Sequence, residues 1–430
     1  MGWIESSGIL IALLIGLLAT GMPVAFAFGL INLVAAYYLF GSVEALSFLT
    51  QAAFSSVSNV SLTAIPFFLL MGSCFVRSGL TEVVLESVEK MLWRLRMSAS
   101  YVAVGGGAVF GALMGASIAS TAVLGSSLLS EMRRRGYSKA LSVGPILGAG
   151  TLSNLIPPSL GAVLIGSLAG ISVGDLLIAG LAPALIMIVL FCLYIYLMSF
   201  REQVTASTHG RMRGREIVGA ALRLAPLVIP ILCVTGAIYA GIATPTEASA
   251  TGAAATLAVT AAYGRLSWKV LKEVLVDTAE VSAMILLIVA SSKAYSQILA
   301  ITGISSGLVS TMSDFSGDPT VIVALTLLAV LILGCFMDQV SVIFVSMPLL
   351  VRLIPALGVD PVWFGVLFLA AVGVGGITPP FGLNLFILRG VAPADIRMKD
   401  IYRIAIPFVV IELVAMLIIL LFPEVVDVFV

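Results

Sequence analysis

Charged side chains are scarce in this chain. Asp, Glu, Lys and Arg make up 10% of its 430 residues, and the 22 basic ones balance the 22 acidic ones. No basic tail is present to hold a polyanion, so nucleic acid is not an expected partner. Histidine is nearly absent: His209, the one copy, lies in a polar loop among arginines. That leaves almost no material for a zinc site or a histidine-dependent hydrolase. The four cysteines, Cys74, Cys192, Cys233 and Cys335, stand alone in apolar runs without metal-ligand spacing and read as packing residues. No catalytic residues, no transition-metal site and no organic cofactor are expected.

What is present is apolar. Hydrophobic residues make up 60% of the chain and the mean hydropathy is +1.17, the composition of an all-α polytopic membrane protein surrounded by lipid. The N-terminus is apolar from Ile9 onward, lacks a basic leading segment, and runs on through Gly21-Met22-Pro23 without a convincing cleavage site. It is expected to be a retained first span.

The chain is also written twice. Pro23 recurs as Pro245, Met114 as Met337, Pro157-Pro158 as Pro379-Pro380, and Gly170 as Gly390, at offsets between 220 and 223 residues. In an apolar protein, matching polar breaks in two halves mark a secondary transporter whose site lies between them. The expected division is a first repeat over 1–200, a basic cytoplasmic linker over 201–223 and a second repeat over 224–430.

Lysine and arginine accumulate on the cytoplasmic side of short loops. Nineteen of the 22 fall into five clusters: Lys90 to Arg96, Arg133 to Lys139, Arg201 to Arg223, Arg265 to Lys272 and Arg389 to Arg403. Arg77 fits the same face, leaving Lys293 and Arg352 unexplained. With all five clusters cytoplasmic, the spans at about 61–77, 139–170 and 174–199 run opposite to their counterparts at about 278–299, 361–388 and 404–425. The repeats therefore have inverted topology. Apolar segments at about 4–20, 22–40, 217–240 and 246–263 complete ten crossings.

Residues 98–130 are flanked on both sides by cytoplasmic clusters, so they enter and leave by one face. Split in two, each leg is only about 24 Å long against a core of about 30 Å, which predicts a re-entrant hairpin. Its counterpart at about 320–357, flanked by Asp314, Asp318 and Asp360, is expected to enter from outside. Weaker amphipathic stretches at about 44–58, 80–95, 265–277 and 303–318 are either arms along the interface or plain loops.

Chemistry belongs where backbone is left unpaired at membrane depth, because hydrocarbon does not tolerate such groups. Four places qualify: the hairpin turns at 115–121 and 334–341, and the crossings broken at 148–159 and 373–384. Paired prolines cannot donate hydrogen bonds and disfavour helix before them, so both crossings must open and expose carbonyls. Those carbonyls, with hydroxyl and amide oxygens, form cages suited to Na⁺, one per repeat. The first uses Gly115, Ser117, Ser120, Ser153, Asn154 and Pro157; the second uses Gly334, Asp338, Ser341, Gly373, Gly376 and Thr378. Half-helix ends offer N–H groups and positive dipole to an anionic substrate, for which Ser153, Asn154, Ser159, Thr378, Asn384, Lys293 and Arg389 are the candidates.

Each candidate has a plainer alternative. A single glycine-rich stretch or proline kink in a membrane helix is usually close packing or a bend. Asp338, standing where the first repeat has Gly115, either ligates Na⁺, holds a proton or makes a structural hydrogen bond. Lys293 either attracts a carboxylate or snorkels outward, and Arg389 does the same or anchors the cytoplasmic face. Glu247, after Thr244-Pro245-Thr246, reads as a capping carboxylate.

The chain resembles the large membrane subunit of tripartite ATP-independent periplasmic (TRAP) transporters. The resemblance covers nearly the whole length and rests on Gly21-Met22-Pro23-Val24-Ala25-Phe26-Ala27, Ala64-Ile65-Pro66-Phe67-Phe68, Ala243-Thr244-Pro245-Thr246-Glu247-Ala248 and Ile377-Thr378-Pro379-Pro380-Phe381-Gly382-Leu383-Asn384. It implies an elevator-type transporter in a bacterial or archaeal cytoplasmic membrane, importing a small organic acid (a carboxylate, dicarboxylate or sialic-acid-like molecule) with Na⁺. It also implies two partners, a small four-helix membrane subunit and a periplasmic substrate-binding protein. The hairpin tips and proline breaks resemble those of divalent-anion/Na⁺ symporters too, so a stand-alone symporter is the alternative. The chain has no Gly-rich loop and lysine to cradle nucleotide phosphates, so ion coupling is the energy source left.

Overall fold

The computed structural model of this chain describes residues 3–40, 45–92, 95, 97–200, 219–220, 222–304, 306–307, 310–311 and 318–429. His209, Arg94, Arg96, Asp314 and nearly all of the expected linker lie outside the described residues. Every element among them is helical.

The chain opens with α1 (Trp3–Ala19), α2 (Val24–Phe40), α3 (Ala45–Val57), α4 (Ala64–Arg77) and α5 (Leu80–Met91). Two helices, α6 (Ser98–Met114) and α7 (Ser117–Leu124), then fold back on each other, and the second leg continues through a π turn at Gly125–Leu129 into α8 (Ser130–Arg134). The next crossing is interrupted, as α9 (Lys139–Leu152) and α10 (Leu160–Ala169), and is followed by α11 (Val173–Ala179) and α12 (Leu181–Ser199).

After α13 (Ala225–Ile231), α14 (Ala237–Tyr239), α15 (Pro245–Ala262) and α16 (Trp268–Ile301) the order recurs. A hairpin of α17 (Pro319–Phe336) and α18 (Gln339–Leu357) precedes an interrupted crossing, α19 (Pro361–Gly376) and α20 (Leu383–Val391). Next come α21 (Met398–Leu421) and the short α22 (Glu424–Asp427).

Among the described residues, six helical stretches are long and apolar enough to cross a membrane: Val60–Arg77, Val173–Ser199, Trp268–Ile301, Pro319–Phe336, Gln339–Leu357 and Met398–Leu421. Two of these are the legs of the second hairpin. The length argument for re-entry thus separates only the first hairpin from a pair of full spans.

The stretch expected at 265–277 is not a separate arm. It is the start of α16, a single helix of 34 residues, about 51 Å long at 1.5 Å per residue. No glycine or proline occurs between Trp268 and Ile301, so nothing interrupts the ladder where the chain leaves the polar interface. Its first turns are tied to α4, where Arg77 forks onto Asp277 through Nε (2.8 Å) and a second nitrogen (3.1 Å). The stretch expected at 303–318 lies largely outside the described residues.

Ion pairs tie the cationic cluster at 133–139 to its neighbours in space. Arg133 pairs with Asp395 at 2.9 Å, Lys139 with Asp400 at 2.7 Å and Arg135 with Glu89, while Arg265 donates to the carbonyls of Ser78 and Gly79 before α5.

Close packing holds the hairpins to the interrupted crossings. The leg α6 lies on α9 and α17 lies on α19. A Cβ at Gly111 would overlap Ser153, and one at Gly375 would come within 2.7 Å of the Gly334 Cα. Gly111 and Gly334 are 223 residues apart, whereas the tips below align at 222, so the second hairpin is one residue shorter between its close approach and its turn.

Candidate functional site

The two tips turn by different means. Gly115 closes α6 in the left-handed region at φ 61°, its N–H bonded to the Gly111 carbonyl at 2.7 Å, and Ala116 leads into α7 without a side-chain cap. Met337 closes α17 in an extended conformation, and Asp338 caps α18. By cap position, Asp338 therefore corresponds to Ala116, and Gly115 corresponds to Met337. This corrects the sequence register, which set Asp338 against Gly115. Asp338 Oδ1 accepts from the Ser341 N–H at 3.1 Å and Oδ2 from the Ser341 hydroxyl, so the geometry displays its capping role.

The prolines of both breaks are in cis linkage, Pro157-Pro158 and Pro379-Pro380. In the first break the Ser159 hydroxyl accepts from the Ala162 N–H at 3.3 Å and donates to the Asn154 carbonyl at 2.6 Å, closing the interruption on itself. In the second, the Gly382 N–H reaches the Thr378 carbonyl at 3.0 Å. A side chain at Gly382 would come within 2.7 Å of the Gly376 carbonyl oxygen, so that turn needs glycine.

The halves exchange partners at these points. The leg α7 packs on α20, and the leg α18 packs on α10. Ser117 and Asn384, both buried, meet there: Asn384 Nδ2 donates to Ser117 Oγ at 2.6 Å. The corresponding place in the other half holds Gln339, whose amide occupies the space a Cβ on Gly161 would need. The crossings α9 and α19 also touch, with Asn154 and Thr151 against Gly373.

Residues expected in the first cage lie on two helices that pack together, α7 and α9. Ser117, Ser120 and Thr121 lie at the start of α7, and Gly150 on α9 leaves room for the Thr121 hydroxyl. Ser120 Oγ, Thr121 Oγ1 and both polar atoms of Asn154 are buried with no hydrogen-bond partner among the described residues. Orphaned buried oxygens are costly unless something else satisfies them. Ser153 donates to the Gly150 carbonyl at 2.6 Å, which leaves its lone pairs free to accept or ligate. Gly115, which lies against Leu160, and Pro157 are both buried. Hard neutral oxygens of this kind suit an alkali cation.

In the second cage Gly334 is buried against Gly375, and Gly373 lies against Asn154. Thr378 donates to the Val374 carbonyl at 2.6 Å, and Gly376 lies beside the Asn384 amide. Ser341 and Asp338 are engaged with each other. Of the substrate candidates, Ser153, Asn154, Ser159 and Asn384 are buried at the breaks and Thr378 is half-buried.

The two cations stand further out. Lys293 is half-buried on α16, next to Ser292, whose hydroxyl donates to the Phe344 carbonyl at 3.0 Å, one turn beyond Ser341. Arg389 lies in the last turn of α20, where its charge complements the helix dipole. Glu247 completes a capping box with Thr244, as its sequence context indicates.

Three further polar residues at the site were not singled out in the sequence: Thr121, Gln339 and Glu412. Glu412 carries the one charge between Ile404 and Leu421 and is fully buried against Thr151. An ionisable side chain inside so apolar a run is itself a functional signal.

Two solved structures share this fold. The chain aligns with the Neisseria gonorrhoeae MtrF antimetabolite efflux pump at a TM-score of 0.63 and 10% identity, over 89% of this chain and 84% of that one. It aligns with the Alcanivorax borkumensis YdaH transporter at 0.56 and 14% identity, over 88% of each. The fold is that of a multi-pass helical membrane protein.

The model of the family described as tripartite ATP-independent periplasmic transporter, DctM component, matches residues 11–425, and the chain belongs to that family. It is a transporter permease and not an enzyme. A putative TRAP transporter large permease protein of Haemophilus influenzae is 30% identical over 88% of this chain and 93% of its own length. The C4-dicarboxylate TRAP transporter large permease protein DctM of Pseudomonas aeruginosa is 29% identical over 86% of each. The ectoine TRAP transporter large permease protein TeaC of Halomonas elongata is 27% identical over 97% of each.

Proposed function

We propose that this chain imports a small organic acid across the cytoplasmic membrane, driven by Na⁺. It works with a small membrane subunit and a periplasmic binding protein, as the family implies. The observation that carries the reading is the set of orphaned polar atoms on Ser120, Thr121 and Asn154, two of these residues lying on the same helix as Ser117, which bonds to Asn384.

Na⁺ binding there satisfies the buried oxygens and fixes the first tip against α9. The tip in turn positions Asn384, so the ion orders the anion site before the anion arrives. That order makes the carrier reluctant to move with substrate alone, which coupling requires. The two hairpins and two interrupted crossings, inverted relative to one another, move as one body against α2, α3, α4, α15 and α16. Residues of the second break, with the dipoles of α10 and α20, receive the substrate. Names of relatives include C4-dicarboxylate and ectoine permeases, which fits a site whose chemistry is set by polar breaks and not by a fixed charge.

The test is uptake of candidate organic acids into vesicles containing this chain. The expected result is accumulation that needs an inward Na⁺ gradient, the small subunit and the binding protein together. Accumulation by this chain alone would instead establish a stand-alone symporter.

A further inference from the structure

Glu412 has no part in the Na⁺ account, yet it is 0% exposed in the middle of α21. Phe408, one turn before it, fills the seam between α9, α12 and α21. Its ring lies 5.3 Å from that of Phe191 and 5.2 Å from that of Tyr194, and it presses on Gly144 and Gly148. On the far side Trp363 Nε1 donates to the Ile419 carbonyl at 2.9 Å. The carboxyl is thus closed off by aromatic packing in both directions along its helix.

Its polar contact is with Thr151 Oγ1, through Oε1, while Oε2 has no partner among the described residues. The Thr151 hydroxyl also lies 2.7 Å from the Gly148 carbonyl, one turn back on α9. A hydroxyl has one proton, whereas a carbonyl and a carboxylate have none to give. If Thr151 donates to Gly148, the hydrogen bond with Glu412 needs a proton on the carboxyl. If Thr151 donates to Glu412, the contact with Gly148 sets two acceptors face to face.

Among the described residues, no cation pairs with Glu412. Lys139 is the charged group of α9, and it pairs with Asp400, twelve residues from Glu412 and about 18 Å along the helix. From α12 the titratable groups are Cys192, Tyr194 and Tyr196, none of which can carry a positive charge. From α19 there is the capping Asp360, bonded to the Trp363 N–H; from α20, Arg389 in its last turn; from α22, Glu424 and Asp427. None of these bonds to Glu412 among the described residues.

We propose that Glu412 is a proton-binding site: as a neutral acid it donates from Oε1 to Thr151 and holds the last turn of α9 against α21. Loss of that proton to water leaves a carboxylate facing a hydroxyl already committed to Gly148. Thr151 must then turn its proton to Glu412 and release the Gly148 carbonyl. Asn154 stands three residues beyond Thr151, so the protonation state is read at the first break. The ligand is H⁺, held in the same packed body as the hairpin tips.

Infrared difference spectroscopy of the whole protein in lipid vesicles tests this without relying on transport. The expected result is a protonated-carboxyl C=O band at neutral pH that shifts on deuteration, is lost in Glu412→Gln and moves to higher frequency in Thr151→Val. Both substitutions keep the size of the side chain. A carboxylate band assigned to Glu412 at neutral pH, or a C=O band unchanged by both substitutions, would overturn the proposal. Because no substrate or Na⁺ is involved, a negative outcome here is separate from any failure of the import reading.

Discussion

Asn384 and Ser117 are 267 residues apart in sequence and joined by a buried hydrogen bond of 2.6 Å. The bond ties the first hairpin to the crossing that the second hairpin precedes. Its counterpart pairs Gln339 with Gly161, where the long side chain has moved to the hairpin and the space to the crossing. Each half therefore completes the other.

Asn384→Ala leaves the Ser117 hydroxyl without its donor and opens a gap at the crossing. An unmet buried polar group costs about 1–3 kcal/mol, so uptake should fall on the order of tenfold or more. Transport assays at saturating Na⁺ check this. Unchanged uptake would remove Asn384 from the site.

At the other seam the effect is steric. Gly161→Ala puts a methyl group into the Gln339 amide, and overpacking of this kind costs about 1–3 kcal/mol. Thermal unfolding should show a lowered Tm in Gly161→Ala and recovery in the double variant with Gln339→Ala. Failure of the second change to restore stability would show that the two do not share that space.

Two glycines of the second interrupted crossing should differ sharply. In Gly375→Ala the new Cβ meets backbone atoms, the Gly334 Cα and the Leu331 carbonyl oxygen, both at 2.7 Å, and no rotamer change relieves it. The hairpin must shift, and a marked loss of folded protein in size-exclusion profiles is expected. Gly390 has open space around its Cβ position, so Gly390→Ala should be tolerated or stabilise by up to about 1 kcal/mol through helix propensity.

The base of the first hairpin carries a modest pH dependence. Arg135, 2.8 Å away, and then Arg134 hold the Glu131 carboxyl below the usual carboxylate range. A carboxyl depressed in the folded state contributes stability above its unfolded pKa of about 4.3 and loses that contribution as the pH falls through the folded value. The pair is partly exposed, so the contribution stays below about 1 kcal/mol. In Tm measurements, wild type should exceed Glu131→Gln at neutral pH, and the difference should narrow in acid. A constant difference would assign the effect to packing.

The interrupted crossings and the helical legs before them were legible because proline and glycine act locally: Pro157-Pro158 and Pro379-Pro380 end helices whatever surrounds them. Cationic clusters were equally plain in the sequence. Less visible was anything that depends on register or on partners. Met114 matches Met337 in letters, but the turn aligns Gly115 with Met337, since the second hairpin is one residue shorter past Gly334. The role of Asp338 stayed open between Na⁺, a proton and a structural hydrogen bond because its partner Ser341 is set by the cap geometry. Thr121, Gln339 and Glu412 take their meaning from Gly150, Gly161 and Thr151, residues on other helices that the sequence alone does not bring near.

The central claim is that the orphaned oxygens of Ser120, Thr121 and Asn154 form a Na⁺ site. Thermal unfolding of the purified protein with Na⁺ or with K⁺ at equal ionic strength measures it directly. A bound ion stabilises by mass action, about 2.7 kcal/mol at a hundredfold excess over its dissociation constant. The account predicts a Tm that rises with Na⁺ and not with K⁺ in wild type, and a much smaller rise in Asn154→Ala and Ser120→Ala. Equal stabilisation by the two salts, or an undiminished Na⁺ response in both variants, would contradict it.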